Sequence, residues 1–421
     1  MANNQISEKP AGFTLTAEAL ENALPNMAMA TKAIHADDFV SPHRAIAPGM
    51  HVATNYRYAR DPDYLVEMEN NDPNAPFDSH VYSRYSAPNT SRLEVLLGSL
   101  FGSQTVTFST GLSAFHSMMI LLNPKRIFIG DGYHGCHGVI DVMSKLTGLQ
   151  KFDLTDLDHL GAGDVIHVET PSNPTGEARN LAYYSAKARQ KGAFLTVDST
   201  FAPPPLQDPL QFGADIVMHS GTKYVGGHSD MLCGILVVHP DRVQEGWAET
   251  LHAERRVLGN VMGSFEGWLG MRSIRTMHLR VLRQADTARK LVHWLNEQLQ
   301  SPQTVISKVL DTVKHASLQD EALDGGWLQK QMPGGFGPVF SIIAKSSELA
   351  KRLPSRLYIF QHATSVGGVE SLMEWRAMTH KGCDKRLLRI SCGIEELDDL
   401  KSDLVQGMKS LMPEDETLSV I

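Results

Sequence analysis

Asp198 and Lys223 are the two side chains whose positions most clearly indicate chemistry. Asp198 lies at the end of the short apolar run FLTVDS, and Lys223 follows the run ADIVMHS. Both runs contain β-branched residues and stop at small polar residues. Such runs are typical of buried parallel strands. A lysine at the end of an apolar sheet is costly unless it is neutral, paired or covalently occupied. A carboxylate one strand away, at the same end of the sheet, would stabilise a cationic ring between the two side chains.

This pattern suits pyridoxal 5′-phosphate. Lys223 would form the Schiff base with the cofactor, and Asp198 would face its pyridine nitrogen. Ser220 and Thr222, which come just before the lysine, would contact the phosphate. The alternative is that Lys223 is a solvated turn residue, and this segment alone leaves both interpretations open.

A further anion contact is predicted where the strand TVTFST meets the helix GLSAFHSMMILL. The join would place the backbone N–H groups of Gly111 and Leu112, and the positive end of the helix, beside an anion. Farther upstream, Tyr82 and Arg84 flank one serine, so in an extended chain both would point to one face and could clamp a phosphate. The alternative for this pair is an ordinary surface feature.

The elements that must position these residues follow an α/β pattern. From Thr90, strands alternate with helices over roughly 150 residues, which predicts a mostly parallel sheet with the active site at the carboxyl ends of its strands. A long helical stretch from Gly263 leads from this unit into a mixture of strands and helices. We therefore expect an irregular amino-terminal arm (1–86), a large domain (87–275) and a smaller α+β carboxyl-terminal domain (276–421) that ends in an acidic tail.

Composition narrows the class of protein. The chain has 421 residues, of which 42% are hydrophobic, so it can bury a large core. Its net charge of −8 argues against a nucleic-acid partner, and no apolar run of about 18 residues predicts a membrane span. The amino-terminal segment MANNQISEKPAGF has neither the basic nor the apolar part of a secretory signal. The four cysteines form no CxxC pair, which favours a reduced, cytoplasmic protein with free thiols.

Two other site types compete for the turn after the strand RIFIG. Gly130–Gly135 matches GxGxxG, and Asp153 follows roughly 20 residues later, as in a dinucleotide-binding fingerprint. We rank this NAD-binding interpretation second, because a strand–helix unit already precedes the turn and Lys223 and Asp198 would have no role. A metal site at His134 and His137 is disfavoured, since no carboxylate or second pair completes it. In the pyridoxal phosphate interpretation, Tyr133 lies against the cofactor ring.

Seven motifs, in order, resemble the Cys/Met-metabolism pyridoxal phosphate enzymes: YSRYSAPNT, STGLSA, ETPSNPTG, VDSTFA, SGTKYVGGHSD, TSVGGVESL and LLRISCGIE. This family includes cystathionine γ-synthase, cystathionine γ-lyase, methionine γ-lyase and O-acetylhomoserine sulfhydrylase, and the resemblance covers about residues 81–395. It implies a fold-type I transferase or lyase that assembles as a homotetramer, a dimer of dimers. Each active site would then lie at a dimer interface.

The resemblance also implies roles for individual residues. Lys223 would carry the cofactor and move protons, Asp198 would pair with the pyridinium, and Tyr133 would stack on the ring and assist proton transfer. Asn173 would contact the phenolic oxygen of the cofactor. Arg389, with Ser365, would bind the substrate carboxylate. The phosphate contacts would come from both subunits: Gly111, Leu112, Ser220 and Thr222 from one, Tyr82 and Arg84 from its neighbour.

Departures from the family pattern bear on the substrate. Relatives that handle cystathionine usually have a glutamate before the serine of TSVGG, but this chain has Thr364. The loop after GGVESL reads MEWRAM, one residue shorter than the common His-Pro-Ala-Ser-Met form. Whether Glu370, Glu374, Arg376 or His134 faces the pocket stays open at this point. If Arg376 and His134 do, they favour an acidic or carbonyl-bearing partner.

The resemblance implies γ-replacement on an O-acylhomoserine such as O-acetyl-L-homoserine, through a vinylglycine ketimine. The nucleophile would be a carbon acid, such as the β-keto acids that some fungal biosynthetic relatives use, or a sulfur compound. Because Thr364 cannot neutralise a distal ammonium, cysteine and cystathionine are expected to be poor partners. The alternatives are a γ-lyase, a cystathionine γ-synthase, or a catalytically silent scaffold that keeps only the fold.

Overall fold

A seven-stranded sheet forms the platform of the large unit. The computed structural model describes residues 19, 22–40, 45–67, 70, 80–322 and 326–413, so MANNQISEKPAGF and the acidic tail lie outside the described residues. The strands are β1 (Thr105–Phe108), β2 (Arg126–Ile129), β3 (Gln150–Phe152), β4 (Val165–Glu169), β5 (Phe194–Asp198), β6 (Ile216–Ser220) and β7 (Gly234–Val238). Their order is β1-β7-β6-β5-β4-β2-β3.

The direction of the strands confirms the predicted mostly parallel sheet. The β2–β3, β2–β4, β4–β5 and β5–β6 pairs are parallel, whereas β7 runs antiparallel to both β1 and β6. Central strands are buried along most of their length, as in β5, where Leu195 and Val197 are fully buried and Phe194 is partly buried. Helices on both faces require such continuous apolar runs.

The helices that follow in chain order from the amino-terminal side are α1 (Met29–His35), α2 (Pro88–Phe101), α3 (Gly111–Leu122), α4 (His134–Thr147), α5 (Leu181–Lys191), α6 (Pro240–Gln244), α7 (Trp247–Leu258), α8 (Ser264–Ile274) and α9 (Met277–Leu299). The ends of α2 and α4 are set by Gly102 and Gly148, whose positive φ angles suit a left-handed cap. None of the helices in the described parts of the chain is long and apolar enough to cross a membrane.

The carboxyl-terminal part contains a second, four-stranded antiparallel sheet of order β10-β11-β9-β8. Its strands are β8 (Leu310–Lys314), β9 (Val339–Ala344), β10 (Leu372–Trp375) and β11 (Leu387–Ser391), and its helices are α10 (Val305–Val309), α11 (Trp327–Gln331), α12 (Ser347–Arg352) and α13 (Leu397–Lys409). Together the two sheets give the predicted fold class, an α/β unit with a smaller α+β part. The residue boundaries of the three predicted domains stay predictions.

The helical stretch predicted from Gly263 is two helices rather than one. It breaks between α8 and α9 at Arg275 and Thr276. The Arg275 guanidinium extends away from the helices and donates hydrogen bonds to the carbonyl of Ile34, at 2.5 Å, and to the Asp37 carboxylate, at 3.1 Å. A long-range contact of this kind leaves no trace in local periodicity, so the sequence alone did not indicate the break.

Candidate active site

One cavity, of about 490 Å³, lies at the carboxyl ends of β4, β5 and β6. Its size is that of a typical small-molecule site. Eleven of the predicted site residues line it: Gly111, Leu112, Tyr133, Asn173, Asp198, Ser220, Thr222, Lys223, Thr364, Ser365 and Arg389. The fold therefore brings together residues that lie far apart in sequence.

Lys223 lies in the turn that follows β6. Its Nζ donates a hydrogen bond to Ser365 Oγ at 2.8 Å. Burial lowers the pKa of Lys223 to about 8, and the nearby Arg389 cation acts in the same direction. The lysine backbone also needs Gly367, whose φ is +108°, because a Cβ there would lie 2.7 Å from the Cα of Lys223. The amine is thus held in the cavity and is able to change protonation near neutral pH.

Asp198 ends β5, and Glu169 ends β4 beside it in the parallel register. Asp198 Oδ1 accepts hydrogen bonds from the N–H of Thr200 at 2.9 Å and from its hydroxyl at 2.5 Å. Burial raises the pKa of Asp198, and burial together with the Asp198 charge holds the pKa of Glu169 well above its usual range. Two adjacent buried carboxyl groups favour a cationic group beside them.

Glu169 is the functional residue that sequence reasoning missed. Its carboxylate accepts the N–H of Tyr133 at 2.8 Å and also the N–H of Asn173. It therefore joins two turns that each supply a predicted cofactor contact. The available signal was its place at the end of β4, in the motif ETPSNPTG, which corresponds to the place of Asp198 at the end of β5.

The cavity has an anion cradle at the start of α3. The first backbone N–H groups of a helix have no partner within the helix. Here Thr110 Oγ1 accepts the N–H of Ser113, and the N–H groups of Gly111 and Leu112 have no acceptor among the residues that the structure describes. Gly111 approaches closely, since a Cβ on it would lie 3.2 Å from the Cβ and Oγ of Ser220. This geometry suits a phosphate.

Arg389 lies on β11 and is buried. Its Nη1 donates to Asn173 Oδ1 at 3.0 Å, and its Nη2 donates to Thr364 Oγ1 at 3.2 Å and to Glu374 Oε2 at 2.5 Å. Burial lowers its pKa to about 10, so the guanidinium remains charged at neutral pH. A charged, oriented guanidinium beside Ser365 suits a substrate carboxylate.

The residues left open by the sequence divide into two groups. Arg376 and His134 line the cavity, whereas neither Glu370 nor Glu374 is among its lining residues. Glu374 is buried behind the arginines, where it accepts from Arg376 at 2.9 Å and from Arg389. Glu370 instead accepts a short hydrogen bond from Ser229, outside the cavity. Neither glutamate therefore offers a free carboxylate to a ligand.

Tyr82 and Arg84 do not line the cavity of their own chain. Their predicted extended conformation is wrong, because the N–H of Tyr85 donates to the carbonyl of Tyr82 at 2.8 Å and closes a turn. The two side chains still meet, with the guanidinium 5.4 Å from the centre of the Tyr82 ring. Arg84 Nη1 also donates to the carbonyl of Arg256 at 2.6 Å. The role of this pair toward a neighbouring subunit stays a prediction.

The GxGxxG turn is filled by side chains of its own chain. A Cβ on Gly132 would lie 2.9 Å from the Glu169 carboxylate, and one on Gly130 would lie 3.2 Å from the Arg179 guanidinium. These side chains already occupy the space beside the glycines that a pyrophosphate would need. Asp153, the predicted ribose partner, instead bonds Thr155 at the surface. No group of three or more metal-ligating side chains occurs in the part of the chain that the structure describes.

Comparison with known proteins decides the family. The chain matches the Cys/Met metabolism PLP-dependent enzymes over residues 30–409. It is a member of this family. It is 31% identical to cystathionine gamma-lyase of Saccharomyces cerevisiae over 90% of this chain and 97% of the relative, and 32% identical to cystathionine beta-lyase of Lactococcus lactis subsp. cremoris over 78% and 88%. The crystal structure of cystathionine gamma synthase from Xanthomonas oryzae pv. oryzae, in complex with aminoacrylate and cysteine, is 25% identical with a TM-score of 0.77, covering 94% of this chain and 100% of that one.

Membership defines the general activity. The chain is a pyridoxal phosphate enzyme of the trans-sulfuration type, with the fold-type I architecture of its relatives. Relatives of these kinds support elimination or replacement at the β- or γ-carbon of an amino acid. This finding confirms the predicted cofactor and enzyme class and removes the dinucleotide interpretation.

We expect Glu169→Ala to lower the free energy of unfolding by about 1–3 kcal/mol, because it leaves the N–H groups of Tyr133 and Asn173 without their acceptor. Glu169→Gln keeps one acceptor oxygen and should lose less. Thermal and urea unfolding of the cofactor-free protein measure the difference. Glu177→Ala, on the exposed rim of the same loop, is the matched control. Equal stability of all variants would show that these hydrogen bonds do not order the site.

Proposed function

We propose that the chain catalyses γ-replacement on an O-acylhomoserine such as O-acetyl-L-homoserine. The cavity fits the family cofactor, since it combines a lysine of lowered pKa, a buried carboxylate and an unpaired N–H cradle. Pyridoxal phosphate, when bound there, supplies an electron sink that acidifies the protons at Cα and Cβ of an amino acid. The residues of the chain must then hold it, orient the substrate and move protons.

The holding residues follow from the geometry of the cavity. Lys223 would hold the cofactor covalently, and Asp198 would keep a positive charge on its ring nitrogen. The phosphate would lie at the N–H groups of Gly111 and Leu112, with Ser220 and Thr222 beside them.

Two further residues would flank the ring. Tyr133 and Asn173 both line the cavity, and both are tied to Glu169 through their backbone N–H groups. Tyr133 would lie against the ring face, and Asn173 would reach the phenolic oxygen. Because Asn173 also accepts from Arg389, the cofactor and substrate contacts share one network.

Proton transfer would depend on Lys223. Chemistry at Cγ needs a proton removed first at Cα and then at Cβ, so one base must serve both positions. A pKa of about 8 lets the amine accept and release protons near neutrality, and its partner Ser365 orients it at 2.8 Å. The bond from Cγ to the acyl oxygen then breaks, the acyloxy group leaves as a carboxylate, and a nucleophile takes its place at Cγ.

The observation that carries the substrate assignment is the charge at the outer part of the cavity. Thr364 lies beside Arg389, and Arg376 lines the same cavity, while Glu374 is already paired with both arginines. A distal ammonium would find no free carboxylate there, and an unpaired buried ammonium costs several kcal/mol. Cysteine and cystathionine are therefore poor partners, and a sulfur nucleophile without an amine, or a carbon acid such as a β-keto acid, is preferred.

The test offers O-acetylhomoserine with sulfide, methanethiol, acetoacetate or cysteine separately and identifies the products by mass. We expect adducts with at least one of the first three and little cystathionine from cysteine. Thr364→Glu is the matched variant, because it restores a carboxylate and should improve the use of cysteine. Efficient cystathionine formation by the unmodified enzyme would overturn the argument from Thr364.

A γ-lyase is the second candidate, because relatives named cystathionine gamma-lyase and L-methionine gamma-lyase are each 31% identical to this chain. A lyase releases 2-oxobutanoate from cystathionine or methionine without a nucleophile. Rapid release of that product from either amino acid would favour this candidate over replacement.

We also propose that the active site is completed in a homotetramer. Tyr82 and Arg84 lie outside their own cavity, and exposed apolar side chains, including Val52, Tyr58 and Tyr64, lie on the same arm. Mixing inactive Arg84→Ala with inactive Lys223→Ala should restore part of the activity, because hybrid interfaces contain one intact site. No recovery after verified subunit exchange would mean that the arm serves its own subunit.

A further inference from the structure

Arg376 adds a cation to the cavity at a position where the common family loop reads His-Pro-Ala-Ser-Met. The residue directly follows β10 and starts the short turn Arg376–Met378. Only 3% of its surface is exposed, yet it lines the cavity. Burying a guanidinium is costly unless its charge and its donors are satisfied. A buried cationic side chain at this place therefore favours the binding of an anion.

The hydrogen bonds of Arg376 are incomplete within the chain. Its Nη1 donates to Glu374 Oε2 at 2.9 Å and to Thr379 Oγ1 at 3.1 Å. Its buried Nε finds no acceptor among the described residues. No acceptor in the same part of the chain pairs with Nη2 either. A ligand oxygen that enters the cavity can accept a hydrogen bond from Nη2.

The charges around Arg376 disfavour a cationic ligand and favour an anionic one. Glu374 is one carboxylate between two guanidiniums, those of Arg376 and Arg389, so the cluster keeps a net positive charge. Arg389 is committed to the substrate carboxylate in the proposed function. His134 adds no further positive charge, because burial together with the Arg376 cation lowers its pKa, so it is neutral near pH 7. Arg376 is then the cationic donor that remains for the second substrate.

We propose that Arg376 binds a carboxylate on the incoming nucleophile, so that the product is an amino acid with a second acidic group beyond Cγ. This rests on the proposed γ-replacement and specifies its second substrate. In the reaction, the bond from Cγ to the acyl oxygen breaks and the acyl group leaves as a carboxylate. The nucleophilic atom loses its proton and forms the new bond to Cγ. Arg389 holds one end of the product and Arg376 holds the other.

Equilibrium binding tests this without turnover. The probes are L-2-aminoadipate, which has the shape of such a product, and L-norleucine, which has the same chain length but no second carboxylate. Their dissociation constants are measured from the change in visible absorption of the cofactor-loaded enzyme. We expect L-2-aminoadipate to bind about tenfold or more tightly than L-norleucine, as a charge-assisted hydrogen bond requires.

Arg376→Gln should remove this preference, while Arg376→Lys should keep part of it through the charge. Arg386→Gln, on the exposed strand entry nearby, is the control and should keep the full preference. Equal binding of the two probes by the unmodified enzyme, or an undiminished preference in Arg376→Gln, would overturn the proposal. A parallel loss for both probes would show that Arg376 only neutralises Glu374. Because no product is formed, failure of γ-replacement is seen separately in the nucleophile experiment.

Discussion

Lys223→Ala is expected to lower kcat by about 10²–10⁴-fold or more while the protein stays folded. The amine reaches the cavity at the end of β6, and its lowered pKa makes it able to exchange protons near neutrality. Its removal deletes a hydrogen bond to Ser365 and a partly neutral amine, but it leaves the anion cradle at Gly111 and Leu112 intact. Steady-state kinetics with circular dichroism and thermal unfolding measure both parts of this expectation.

The same variant has two informative controls. Lys191→Ala removes an exposed lysine at the end of α5 and should behave as the unmodified enzyme. Added methylamine should restore part of the activity of Lys223→Ala, because a small amine can enter the space that the side chain leaves. Activity of Lys223→Ala close to that of the unmodified enzyme would mean that another group performs the proton transfers.

Asp198→Asn is expected to lower kcat/KM by about 10²–10³-fold, the usual cost of removing one preorganised electrostatic contact. Asparagine keeps an oxygen for the two hydrogen bonds from Thr200, so the loop geometry should persist. What is lost is the negative charge that would keep the cofactor ring nitrogen protonated. Kinetics together with the visible spectrum of the bound cofactor separate a loss of charge from a loss of cofactor.

Stability should change in the opposite direction. Burial raises the pKa of Asp198, so folding disfavours its ionised form, and this cost grows as pH rises through the folded pKa. The cofactor-free Asn variant should therefore unfold at a higher temperature than the unmodified protein at pH 8, with a smaller difference at pH 4. Asp158→Asn, at the surface, is the control. Full activity of Asp198→Asn would show that the negative charge of Asp198 is not needed for catalysis.

The inner half of the site, which lies at the strand ends and helix start of the large sheet, was predictable from sequence because it depends on local patterns. Buried parallel strands produce continuous apolar runs, and the residue that stops each run, such as Asp198 or Ser220, must lie at the edge of the sheet. The helix start at Gly111 follows from the same alternation of strand and helix. The family resemblance then supplied Arg389 and Asn173, which local pattern would have left as ordinary polar residues.

The outer half of the site, around Glu374 and Arg376, was not predictable because it depends on how separate strands pair. Glu374 meets Arg389 because β10 and β11 are antiparallel and these two residues are opposite each other in the register. The contact of Glu169 with Asp198, in the inner half of the site, has the same cause in the parallel sheet. No periodicity within one strand fixes such a register. The turn at Tyr82 is likewise set by two backbone hydrogen bonds, which the N–H groups of Tyr85 and Ser86 donate to the carbonyl of Tyr82.

The most direct test of the account is the fate of O-acetylhomoserine when a nucleophile is present at saturation. The amounts of adduct and of 2-oxobutanoate are measured in the same reaction by mass spectrometry. If the cavity performs γ-replacement, the adduct dominates, and 2-oxobutanoate rises only when the nucleophile is withdrawn. If 2-oxobutanoate dominates with every nucleophile offered, the enzyme is a lyase, and the assignment made from Thr364, Arg376 and Arg389 is contradicted.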